Sequence, residues 1–194
     1  MRRLSDEYGG IFTKLLGILL VVGIIATAAL YIYGKRQQPL SAEGVHVGTS
    51  DGGRQSARIE LAPGRSVYVA TVVRNDGPLP VTLEGIAQAE VSPTDAYVPV
   101  SIELGDGKTP KPVSGAFTPP SLDAHTGIGV VVTYAINPNM ACARFGDTPG
   151  DPVPLAPVPM RISTYGVDTT QTLGVPGPPM VGGITKADCE RALP

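Results

Sequence analysis

Residues 66–74 read SVYVATVVR, and this nine-residue run decides the fold class. Four valines, with Tyr68 and Thr71 between them, make it the most β-prone stretch of the chain, because branched and aromatic side chains fit a pleated, half-buried surface. The run predicts a central strand. Directly after it, Asn75–Pro80 reads NDGPLP, a cluster of turn residues, and Val81–Ala87 resumes the extended pattern, so a hairpin is expected there. Directly before it, Ala62-Pro63-Gly64 forces a turn. Upstream of that turn Ser56–Leu61 alternates Ala57, Ile59 and Leu61 against Arg58 and Glu60, the mark of a half-buried strand.

Working outward, the same punctuation continues. Tyr97–Leu104 places Val98, Val100, Ile102 and Leu104 on one face, and Pro99, which lacks an N–H, pushes that strand toward a sheet edge. Val113–Phe117 is a short strand, Pro119–Thr126 a loop, and Gly127–Ile136 (GIGVVVTYAI) a buried strand. Val158–Tyr165 alternates again and Thr169–Leu173 supplies a last short strand, while on the upstream side Gly44–Thr49 is a brief extended piece. Asn137–Pro157 has no period over about twenty residues, and long irregular segments in compact domains are functional or tied down. At the C-terminus Thr185 and Asp188 resemble a capping box opening a helix over Lys186–Leu193. The 24 glycines and 20 prolines fall between apolar runs instead of forming repeats. The predicted class is all-β: an antiparallel immunoglobulin-like β-sandwich of seven or eight strands, preceded by one N-terminal transmembrane helix and followed by a short C-terminal helix.

That N-terminal helix is read from Ile11–Tyr33, IFTKLLGILLVVGIIATAALYIY, whose one charge is Lys14. The uncharged part, Leu15–Tyr33, covers about 28 Å as a helix, close to the hydrocarbon thickness of a bilayer. Tyr31 and Tyr33, with Lys35 and Arg36 following, give the aromatic-then-cationic edge expected at headgroups. The competing reading is a cleavable secretory signal with Ala26-Thr27-Ala28 as its cleavage site, and both readings export the remainder. Within the span, Gly23 and Thr27 lie four apart and are candidates for a helix–helix contact, with Leu19 and Tyr31 continuing that face. The expected organisation is a cytoplasmic tail (1–10), a transmembrane helix (11–34), a juxtamembrane linker (35–54) and an extracytoplasmic β domain (55–194).

Charge and cysteine usage narrow the function. Residues 1–36 hold five basic and two acidic side chains, and residues 37–194 hold ten basic and fifteen acidic, so the exported part is mildly anionic. It has no clustered Lys and Arg for phosphate, which argues against nucleic acid as a partner. Cys142 and Cys189 are the only thiols and form no CxxC pair; in an exported domain two cysteines most simply mean one disulfide, tying the long loop to the terminal helix. Hydrolase, P-loop and dinucleotide motifs are missing, so no catalytic residue, cofactor-binding residue or metal ligand is assigned. Asp51-Gly52, Asp76-Gly77 and Asp106-Gly107 read as turns more readily than as calcium ligands. Met140, Cys142, Met160 and Met180 with His46 or His125 give the alternative, an extracytoplasmic copper-binding or metal-delivery protein.

An N-terminal anchor, the strand–turn–strand text VVRNDGPLPVTLEGI (residues 72–86), a loop cysteine after a Val-rich strand and a second cysteine near the C-terminus resemble the small membrane-anchored immunoglobulin-like domains of actinobacterial envelopes. The preference for Arg over Lys, ten to five, has the same flavour. The resemblance covers most of residues 55–190 and implies an accessory or adhesive role with no known chemistry. The expected function is a non-catalytic, single-pass interaction module at the cell membrane. Its expected partners are membrane lipid, through the N-terminal helix, and another membrane or envelope protein, to which it serves as an accessory subunit.

Overall fold

In the computed structural model, which describes residues 2–36, 38–49, 54–55, 58–59, 66–110, 117–137, 142, 145–148, 150–175, 177–182 and 185–192, strand β4 (Val67–Asn75) is the middle strand of a five-stranded sheet, as its valine content predicts. Its neighbours are β1 (Leu40–Thr49) and β8 (Gly127–Ile136), with β2 (Arg54–Gln55) and β6 (Tyr97–Leu104) at the edges, all antiparallel. A second antiparallel sheet runs in the order β11 (Val167–Leu173), β10 (Val158–Thr164), β5 (Val81–Ile86), β7 (Ser121–Leu122). A third, of two-residue strands, joins β3 (Arg58–Ile59), β12 (Met180–Val181) and β9 (Val153–Pro154). Helices α1 (Arg2–Arg36) and α2 (Lys186–Ala192) flank the strands in sequence. The chain divides into two units, residues 1–37 and 38–194.

Residues from all three sheets share one buried cluster. Val67, Val69 and Val73 of β4, Val130, Val132 and Tyr134 of β8, Leu83 of β5, Met160 and Ile162 of β10 and Val181 of β12 are each at most 1% exposed. Fully burying one such side chain contributes about 1.5–3 kcal/mol, so this cluster holds the sheets together. One polar residue bridges them. The buried Gln171 of β11 accepts the Leu40 backbone N–H through Oε1 (2.9 Å) and donates from Nε2 to the Leu40 carbonyl (2.6 Å), acting as a strand partner for the first residue of β1.

Several expectations need correction. Segment 35–54, read as a linker, contains β1 and the first residue of β2, so only residues 37–39 separate α1 from the first strand. Alternation there looked brief because β1 bulges. The register with β4 shifts between Glu43 and His46 at Gly44 (φ +68°), so the buried positions change phase from Leu40 and Ala42 to Val47. The hairpin expected across Asn75–Pro80 is not one: β4 and β5 belong to different sheets, and this arch carries the chain between them. Asn75 fastens the arch, its Nδ2 donating to the carbonyls of Leu79 (2.8 Å), Leu122 (3.2 Å) and Asp123 (3.2 Å) and its Oδ1 accepting from the Gly77 N–H (3.0 Å). Gly77 is required because a Cβ there would stand 2.7 Å from Cβ of Pro39.

The strand β6 is at an edge, as Pro99 predicts, but its register shifts between Pro99 and Ser101, which leaves Val100 outward (41% exposed) and puts Val98, opposite Ala135, on the other face from Ile102, opposite Val132. Among the described residues seven strands run six residues or longer and five are two-residue pairings, against the seven or eight strands expected. Two of the short ones, β7 and β9, lie in stretches read as loop or irregular, where two residues carry no period. The expected strand Val113–Phe117 lies almost wholly outside the described residues, and Phe117 itself is not in a strand. Helix α1 begins at Arg2, ahead of the expected Ile11.

Candidate functional site at the disulfide end

The long segment Asn137–Pro157 leaves β8 and ends at β10, and its described residues are irregular apart from the short strand β9. It is tied at both ends and in the middle. Asn137 donates its backbone N–H to the Ala96 carbonyl (3.0 Å) and its side-chain amide to those of Asp95 (3.0 Å) and Ser92 (3.2 Å). At the far end the buried Tyr134 hydroxyl donates to the Ala156 carbonyl (2.9 Å), and the Leu155 N–H to that of Pro179 (3.1 Å). Between these points Cys142 and Cys189 sit at disulfide distance, Sγ–Sγ 2.03 Å and Cα–Cα 5.5 Å. Cys189 on α2 is fully buried and belongs to the main cluster.

Helix α2 is seven residues long, too short to hold together by propensity. Local chemistry supplies the start. The Asp188 carboxylate accepts the Thr185 N–H (3.1 Å) and hydroxyl (2.7 Å), and the Asp188 N–H donates to Thr185 Oγ1 (3.1 Å), so the capping box works with Asp in place of Glu. The Thr185 hydroxyl, the Thr185 N–H and then Arg191, 2.8 Å away, stabilise the charged form and hold the Asp188 carboxyl below its ordinary value. Lys186 donates its N–H to the Gly146 carbonyl (2.9 Å), a second tie between α2 and the loop.

Tyr97, the first residue of β6, is fully buried, and its hydroxyl has no hydrogen-bond partner among the described residues. Burial, and then the charge of Asp188, push its phenol well above the ordinary tyrosine value. Tyr134 is pushed up likewise by burial alone. Both rings are therefore neutral in ordinary buffers. Sequence reasoning missed Tyr97 because a strand-initial tyrosine carries no signal of whether its hydroxyl is wet.

The other candidate residues fall elsewhere. Gly23 and Thr27 are exposed on α1, where the Thr27 hydroxyl donates back to the Gly23 carbonyl (2.8 Å). With Leu20, Ile24, Ala28 and Tyr31 they line a shallow groove along the helix. The copper candidates are scattered. Met160 is fully buried in the core, Met180 is at the surface in β12, both cysteines are in the pair just described, and Met140 lies outside the described residues. His46 pairs opposite Ala70, whereas His125 donates its backbone N–H to the Asn75 carbonyl, five residues or about 17 Å further along β4. Among the described residues no three His, Cys, Asp or Glu side chains cluster as a metal site would require. Asp106 closes a turn, its carboxylate accepting from the Lys108 N–H (2.7 Å), the Thr109 N–H (2.6 Å) and the Thr109 hydroxyl (2.6 Å). Asp51-Gly52 lies outside the described residues. No known protein family profile, characterised protein or solved structure matches this chain.

Proposed function

We propose that the protein is a non-catalytic, single-pass membrane-anchored interaction module whose β domain lies outside the cytoplasm and serves as an accessory subunit of a membrane or cell-envelope complex. The observation that carries this reading is helix α1. From Lys14 to Tyr33 it is long and apolar enough to cross a membrane, and every side chain in that span is exposed. Eleven Leu, Ile and Val side chains between Leu15 and Ile32 stand more than half exposed. Covering them is worth on the order of 20 kcal/mol at about 1.5–3 kcal/mol each, more than the stability of an ordinary domain. A bilayer supplies that cover.

The disulfide-distance pair favours an oxidising compartment for the β domain, and with it a cytoplasmic N-terminus. In this reading the two larger sheets make an immunoglobulin-like sandwich of the kind found in small actinobacterial envelope proteins. The segment around Cys142, held by α2, is the surface offered to a protein partner. Nucleic acid is not a partner in this scheme.

Detergent extraction of native membranes and affinity purification of the tagged full chain, after crosslinking in intact cells, tests the reading. A stoichiometric membrane or envelope protein recovered by wild type, and lost when residues 145–148 are replaced by Gly-Ser, supports it. Recovery of the chain alone under both conditions contradicts it.

A further inference from the structure

We infer that the end of the β domain carrying the Asn75–Pro80 arch and the β10–β11 turn rests in the headgroup layer of the bilayer, with the exposed Tyr165 as its interfacial anchor. The inference rests on the membrane-anchor reading of α1 and adds which surface of the domain meets lipid. Three observations carry it.

The first is the shortness of the tether. Helix α1 ends at Arg36 and β1 begins at Leu40. Pro39 already belongs to the β domain: it is buried, its carbonyl accepts the Asp76 N–H (2.7 Å), and Gly77 packs against its ring. Gln37 and Gln38 are left, and two or three extended residues reach only about 7–10 Å. In this proposal that short tether keeps the arch packed on Pro39 near the lipid.

The second is strand register. Strand β5 starts at Val81 where the arch ends, and Thr82 pairs with Ser163 of β10. The turn Tyr165–Gly166 thus lies just past Val81, on the arch side of the second sheet. The disulfide and the starts of β4 and β6 are at the far ends of their strands, where Val67 pairs with Tyr134 and Tyr97 with Ile136.

The third is the turn itself. Tyr165 (φ +49°) and Gly166 (φ +77°) both have positive φ, the geometry of a type I′ turn whose first position favours Asn, Asp or Gly. Tyrosine there is strained, and at 70% exposed it recovers little by packing. A ring with an apolar body and a wet hydroxyl is suited to a headgroup layer. Pro78, exposed, and Leu79, half-buried, add apolar surface on the arch. Electrostatics is a minor contributor, because Arg74 is engaged by Asp76 (3.0 Å) and Glu43 (3.4 Å) and Asp123 and Asp168 are exposed nearby, so the contact is indifferent to anionic lipid.

The chain has no tryptophan, so single substitutions give unique depth probes. Full-length Tyr165→Trp, Met180→Trp and Tyr33→Trp variants are reconstituted in nanodiscs of phosphatidylcholine, with and without brominated acyl chains. The Tyr165→Trp probe is expected to be quenched by shallow bromine several-fold more than the Met180→Trp probe, unchanged when phosphatidylglycerol is added. Quenching of Tyr165→Trp equal to that of Met180→Trp, with Tyr33→Trp still quenched, overturns the inference while leaving the anchor intact. Loss of quenching at Tyr33→Trp as well overturns the anchor and the inference together. A Tyr165→Ser variant that keeps the disulfide and far-ultraviolet spectrum is expected to raise the protease sensitivity of the arch in nanodiscs, and no change there also counts against the inference.

Discussion

Asn75 and Gln171 each satisfy several backbone groups with one buried side chain, which makes them the residues whose loss is felt most for their size. Replacing Gln171 by Ala strands the N–H and carbonyl of Leu40 inside the protein. At about 1–3 kcal/mol for leaving a buried group unsatisfied, Gln171→Ala is expected to cost about 3 kcal/mol in urea denaturation. Arg161→Ala removes only an exposed pair with Glu84 (3.0 Å) and should cost less than about 1 kcal/mol. A Gln171→Ala variant as stable as Arg161→Ala would contradict the bridging role. Titration acts at this scale too. The Thr109 hydroxyl and the Lys108 and Thr109 N–H groups lower Asp106 from its ordinary value of 3.8 to about 2. A lowered carboxyl contributes stability that is complete above the unfolded value and is lost as pH falls through the folded one, here between about 4 and 2. Asp106→Asn should therefore flatten the fall of the urea midpoint between pH 4 and pH 2, and an unchanged slope would count against the turn.

The pair Cys142–Cys189 is the device that makes two weak elements, an irregular loop and a seven-residue helix, behave as one. Closing a loop of separation 47 is worth about 4 kcal/mol on the chain-entropy estimate. The Cys142→Ser/Cys189→Ser double variant is expected to lose about that much, with hydrogen-exchange protection lost first in α2; uniform loss across β4 and β8 would contradict a local clamp. Elements with a strong period were legible in the sequence. Strands β4, β6, β8 and β10 fall within a residue of their expected bounds, and α2 starts at the capping box. What was not legible has physical causes. The bulge at Gly44 reversed the phase of β1, Asn75 fastens an arch where turn residues alone read as a hairpin, and two-residue strands have no period to read. The site was less legible than the fold. Neither the burial of Tyr97 nor the separation of the two histidines leaves a mark in sequence spacing.

Taken whole, the chain joins a helix long and apolar enough to cross a membrane to a β domain that has a core of its own. Removing residues 1–37 should leave the β domain folded, since the described residues of its buried cluster all lie within 38–194, and the truncated protein should remain in the supernatant after alkaline carbonate extraction while the full chain pellets. In the proposed function, helix α1 holds the disulfide-bonded domain on the outer face of the membrane. Protease treatment of intact cells, carrying either an N-terminal or a C-terminal tag on the full chain, measures this directly. The C-terminal tag is expected to be lost and the N-terminal tag to survive in the membrane fraction until the cells are lysed. Survival of the C-terminal tag in intact cells, or its release into the medium with the N-terminal segment cleaved away, would contradict it.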